Sequence, residues 1–211
     1  MKLRLKITGS CVFLCLSLAF PDGMFLGTQE DALFLNYQSA FGTGTVTVEP
    51  WAGVASEGGF DVAASWYYTF YDNRFEYRTI RSISVKSSVY PLKGIENDWF
   101  GLSLTGFAKQ TYVEKSEKKD RRVIGVGSGI YKRLDLHKFL ALVPSFRYSW
   151  SSSPIALEEE PTDNNANIYS ISIPVLFYIK YMQRSFISLG YDWDDEDTTI
   201  FRVSLGYLFL S

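Results

Sequence analysis

The chain has no long apolar run. No stretch reaches the roughly 18 consecutive apolar residues that a spanning helix needs, so a helical membrane protein is excluded although 46% of its 211 residues are hydrophobic. It is also poor in histidine (1), methionine (3) and cysteine (2). Both cysteines, Cys11 and Cys15, fall within the first twenty residues, so the rest of the chain has no thiol and no disulfide framework. A formal net charge of −2 with no basic face argues against a nucleic-acid partner. What the chain has in quantity is aromatic residues, 17% of the total. That composition favours strands.

The N-terminus reads as an export signal. Lys2, Arg4 and Lys6 precede the apolar run Ile7 to Leu18, and Ser17-Leu18-Ala19 puts small residues where a signal peptidase reads them. The expected division is a cleaved signal over 1–19, a short periplasmic tail over 20–32 and one β-barrel over 33–211. A lipoprotein would acylate Cys15, but bulky Leu14 precedes it where a small residue is required, which leaves both cysteines as apolar filler.

Downstream the pattern has a period of two, with unlike faces. Phe60, Val62, Ala64, Trp66, Tyr68 and Phe70 alternate with Asp61, Ala63, Ser65, Tyr67 and Thr69. Ile83, Val85 and Val89 oppose Ser82, Ser84, Lys86 and Ser88, while Phe100, Leu102, Leu104 and Ala108 oppose Gly101, Ser103, Thr105, Lys109 and Thr111. Gly125, Gly127 and Gly129 share a face, which leaves room for bulky neighbours in a narrow tube. Further strands are expected over Lys138 to Ser149, Ile168 to Lys180, Ser185 to Trp193 and Thr199 to Leu210. Residues 45–54 alternate less cleanly, with Pro50 marking an edge or bulge. Residues 33–41 are weaker still.

Parity sets the number. With the C-terminus in the periplasm, the charged or long connections 114–122, 151–167 and 194–197 lie outside the cell and the short ones, 134–137 and 181–184, lie inside. The weak strand is then needed to return the chain, giving ten strands. Eight is the alternative, with residues before about 58 packed elsewhere.

The face that carries bulk separates a membrane barrel from a soluble barrel or sandwich. Here the small and charged residues share one face, and the broad apolar faces end in aromatics such as Trp66, Tyr148, Trp150, Trp193 and Tyr207, as interfacial girdles do. The fold class expected is all-β, a transmembrane antiparallel up-and-down barrel in the cell outer membrane, monomeric, with bilayer and lipopolysaccharide or another outer-leaflet lipid around it.

Three segments resemble small outer-membrane barrels of the OmpW and OmpX type. Ser204-Leu205-Gly206-Tyr207-Leu208-Phe209 is similar to the last-strand signal of such proteins, although Leu210-Ser211 follows where they usually end in an aromatic. Tyr90 to Gly94 followed by Phe100-Gly101-Leu102, and Gly125 to Arg133 running into Phe139 to Trp150, resemble their central hairpins. The resemblance implies recognition by the outer-membrane assembly machinery and a conduit for small or hydrophobic solutes.

The candidate functional residues are inward charges: Glu49, Arg78, Lys86, Lys109, Arg147 and Arg202. A narrow lumen demands partners for them among Glu49, Asp61, Asp192 and tyrosine hydroxyls. They line either a polar pore or a plugged, rigid core. A lipid-modifying enzyme would need His137, the sole histidine, near the outer rim with a serine at suitable spacing, and it lies in a periplasmic turn without one. The tip Asp192, Asp194, Asp195, Glu196 and Asp197 lacks the ligand spacing of a calcium loop. No cofactor or metal is expected. The leading expectation is a non-enzymatic barrel with a structural or interaction role, meeting host or surface ligands through loops 114–122 and 151–167.

Overall fold

The computed structural model describes residues 22–27, 29–42, 44–57, 59–71, 79–95, 98–113, 121–152, 165–180, 183–195 and 198–211. The signal at 1–19, Arg78, Glu196, Asp197 and most of the two long loops lie outside them.

Ten strands form a closed antiparallel barrel. They are β1 (Ala32–Gly42), β2 (Thr45–Ser56), β3 (Phe60–Tyr71), β4 (Thr79–Lys93), β5 (Gly101–Val113), β6 (Arg121–Tyr131), β9 (Ser145–Ser152), β10 (Asn165–Lys180), β11 (Gln183–Asp194) and β12 (Thr199–Leu210). A small hairpin, β7 (Leu134–His137) and β8 (Leu140–Leu142), lies between β6 and β9 in sequence and pairs with β10. Pairing of β12 with β1 closes the ring. Closure matters because hydrocarbon offers no partner to an open edge.

The register also sets the barrel's shape. Steps across paired residues lead from Ala32 through Ala55, Asp61, Ser88, Thr105, Gly127, Ser149 and Ile168 to Asp194. The pairs Trp193 with Thr199 and Phe41 with Phe201 then bring the path back just past Gly42. The stagger is thus about 12 residues, which for ten strands means a tilt of about 40° and a backbone radius of about 10 Å. Inward side chains nearly fill a tube of that width.

Alternation sends large apolar side chains outward all round the ring. Leu35, Val54, Trp66, Ile83, Leu104, Val126, Phe146, Ile173, Leu189 and Phe201 are exposed, while Gln38, Glu49, Asp61, Lys86, Ser149, Ser188 and Arg202 are buried. This is a soluble protein turned inside out. Its outer wall meets lipid.

Residues 33–41, expected as the weak strand that completes the count of ten, form a full strand, with Leu33 to Phe41 paired to both β2 and β12. Two places differ from the sequence expectation. The continuous strand over Lys138 to Ser149 is broken at Val143-Pro144, because Pro144 has no N–H to donate; its carbonyl accepts from Lys132 N at 3.1 Å, and Val143 N donates to Pro174 O at 2.9 Å. Pro50 causes no shift in register, whereas the β4–β5 ladder does shift between Val89 and Leu92, around Pro91.

Candidate functional site, a closed lumen

At the end of the barrel where β1 begins and β12 finishes, a short segment ahead of β1 lies inside the ring. Asp22–Phe25 form one 3-10 turn, and Met24, Phe25 and Leu26 are at most 1% exposed. The described part of the segment expected as a short periplasmic tail over 20–32 therefore enters the mouth of the barrel. Its three apolar side chains join Phe34, Trp51, Tyr90, Tyr131, Leu176, Phe186 and Leu208, all pointing inward, in one cluster. The rings of Phe25 and Phe186 lie 4.6 Å apart.

Small residues in the wall make this possible. A side chain on Gly53 would overlap Phe34, and one on Gly101 would overlap Tyr131. Gly125 does the same for Phe107, and Gly129 leaves Arg147 room to pass. Glycine and bulk are paired across neighbouring strands.

Polar contacts latch the plug to four strands. Asp61 of β3 accepts hydrogen bonds from Gly23 N at 3.1 Å and from the Tyr90 hydroxyl. Lys93 of β4 donates to Gly23 O at 3.1 Å. Arg184 of β11 donates to Phe25 O at 2.7 Å and forms a two-pronged ion pair with Glu30. Arg147 of β9 lies 3.7 Å from the Met24 sulfur. Charge-assisted and bidentate bonds of this kind are the strong ones.

Glu30 lies outside the spanning strands. Burial alone would raise its carboxyl, but the Arg184 hydrogen bonds, the Gly27 amide at 2.5 Å and the Arg184 charge together hold it below the ordinary value. Asp31 is lowered too, by the Glu57 amide at 2.7 Å and the Ser56 hydroxyl.

Beyond the plug the lumen becomes polar. Glu49 accepts from Ser65 Oγ at 2.8 Å and from Gln38 Nε2 at 3.4 Å. Lys86 lies 4.7 Å over the Trp51 ring and Lys109 lies 4.2 Å over Tyr67. Arg202 and Asp192 form an ion pair at 2.5 Å, with side chains 1% and 4% exposed. Of the six charges singled out from sequence, Glu49, Lys86, Lys109, Arg147 and Arg202 all point into this space. Arg147 belongs to the plug rather than to the belt.

Sequence reasoning missed the latch. From sequence, Arg184 and Lys93 fall in turns, and Asp61 stands only as a partner for lumen cations. The available signal was Met24-Phe25-Leu26, an apolar triplet between Gly23 and Gly27 where a solvated tail should be polar.

Two other candidates stand apart from the plug. His137 is exposed in the β7–β8 hairpin, its ring 5.5 Å from Phe139. Asp192 points into the barrel toward Arg202, whereas Asp194 accepts from the Thr198 amide at 2.8 Å in the turn. The acids of that tip are therefore split between lumen and loop.

No protein-family model matches the sequence, and comparison with curated proteins finds no sequence relative. Solved structures do match. An outer membrane channel from Pseudomonas putida F1 aligns at 10% identity over 88% of this chain and 97% of its own, with a TM-score of 0.53. The transport unit of the autotransporter AIDA-I from Escherichia coli aligns at 11% identity over 86% and 90%, with a TM-score of 0.45. The translocator domain of the autotransporter NalP from Neisseria meningitidis aligns at 10% identity over 88% and 90%, with a TM-score of 0.45. At such identities the likeness is one of fold. The closed ring and the apolar outer wall give this chain the fold of a transmembrane β-barrel, which it shares with the Pseudomonas outer membrane channel.

Proposed function

We propose that the protein is a self-plugged, non-enzymatic barrel that anchors its long loops at the cell surface as an interaction platform. The observation that carries this reading is the burial of Met24, Phe25 and Leu26 inside the mouth of the barrel. An apolar stopper fixed by Asp61, Lys93, Arg184 and Glu30 blocks the path that a porin needs open. In this orientation the end where β1 begins and β12 finishes faces the periplasm, and the end where β3, β5 and β9 finish faces outward. The protein would be inserted by the assembly machinery and function as a monomer among outer-leaflet lipids.

A second reading is a gated conduit of the OmpW type. It is favoured by the polar belt of Glu49, Lys86, Lys109, Asp192 and Arg202, which is costlier to bury than an apolar core. Planar-bilayer conductance separates the two. The platform reading expects no lasting current from the intact protein or from Arg184→Ala. If Arg184→Ala conducts while the intact protein stays closed, the conduit reading replaces it.

A further inference from the structure

The large side chains of the outer wall are interrupted on β4, β5 and β6. Ser87, Gly106 and Ser128 stand there among Val85, Leu104 and Val126, with Ser87 paired to Gly106 and Gly106 to Val126. The gap is a groove of about 600 Å³, walled by Val89, Leu104, Val126 and Tyr148. A Cβ on Gly106 would meet no atom within 4 Å, so packing within the barrel does not require this glycine. It leaves space on the membrane side.

Six residues further toward the long-loop end, the same strands carry positive charge outward. Arg81 of β4 and Arg122 of β6 are both exposed on the lipid-facing side. Gln110 of β5 stands between them and accepts from Arg122 Nε at 3.0 Å, while Arg81 lies 5.7 Å over the Tyr68 ring. Six strand residues at about 3.3 Å each, tilted about 40°, place the guanidinium groups about 15 Å above the groove. That is half the roughly 30 Å thickness of the hydrocarbon core. The charges therefore sit at headgroup level when the groove sits near the midplane.

We propose that this wall binds one molecule of a phosphate-bearing anionic lipid, its phosphate on Arg81 and Arg122 and one acyl chain in the groove at Ser87, Gly106 and Ser128. The planar guanidinium fork suits phosphate oxygens. A narrow groove in a wall bathed by hydrocarbon suits a single chain, whereas a protein partner needs a broad complementary face. The site lies on the outer wall and is independent of whether the lumen opens.

The test is native mass spectrometry of the detergent-solubilised barrel titrated with phosphatidylglycerol and, separately, phosphatidylcholine. One phosphatidylglycerol should bind with about tenfold preference. Arg81→Gln with Arg122→Gln should abolish the preference. Gly106→Leu should weaken phosphatidylglycerol binding, and heat-modifiable gel migration should show that both variants still fold. Equal binding of the two lipids would overturn the proposal, as would a preference that survives both variants. A dimer that Gly106→Leu splits would overturn it in favour of a second copy of the chain.

Discussion

Gly206 and Phe186 occupy a single space. They are directly paired across β11 and β12, and any Cβ on Gly206 would overlap the Phe186 ring, which in turn packs on Phe25 of the plug. The glycine that resembles part of a last-strand assembly signal has a packing reason as well. Gly206→Val should displace Phe186 and loosen the plug, and Phe186→Ala should cost about 3–5 kcal/mol. Urea-driven unfolding followed by tryptophan fluorescence measures both, and a loss below 1 kcal/mol for Phe186→Ala would contradict this packing.

The Arg202–Asp192 ion pair is buried in the lumen, its side chains 1% and 4% exposed. Removing one partner leaves the other charged in a poorly hydrated lumen, so Arg202→Ala should destabilise by about 3–5 kcal/mol. Replacing both, with Arg202→Met and Asp192→Leu, should recover most of that loss. The double-mutant cycle in urea gives the coupling directly.

The latch should respond to acid. Glu30 has its carboxyl lowered in the folded protein, so its contribution is complete above the ordinary carboxylate pKa and is lost as pH falls through the lowered value. The plug should therefore stay seated at pH 5 and loosen only below the ordinary carboxylate range. Asp31 is lowered as well, so Glu30→Gln is the control: it should loosen the plug at neutral pH and reduce the acid response. Cleavage of the N-terminal segment by an acid-active protease follows the release.

The ring was legible in the sequence because lipid and lumen impose opposite demands on alternate residues. From Phe60 to Phe70 and from Thr199 to Phe209 each outward position is apolar or threonine, so period two is plain. β1 was weak because Asn36 and Gln38 stand among Phe34, Leu35 and Tyr37, and apolar residues fall on both faces where Phe34 points toward the plug. The break at Pro144 was hidden because the outward residues Leu140, Leu142, Phe146 and Tyr148 keep their alternation through it. Of the plug only the apolar triplet Met24-Phe25-Leu26 was legible. Its contacts join Gly23 to Asp61 and Phe25 to Arg184, separations that no local pattern records.

The central claim is that residues 23–26 fill the mouth of the barrel, and the reactivity of a single thiol at Leu26 tests it most directly. In a chain with Cys11 and Cys15 replaced by serine, Leu26→Cys should react with a water-soluble maleimide at least about tenfold more slowly than Leu136→Cys on the exposed hairpin. Denaturation should make the two rates equal. Equal rates in the folded, detergent-solubilised barrel would contradict the plug, and with it the closed lumen.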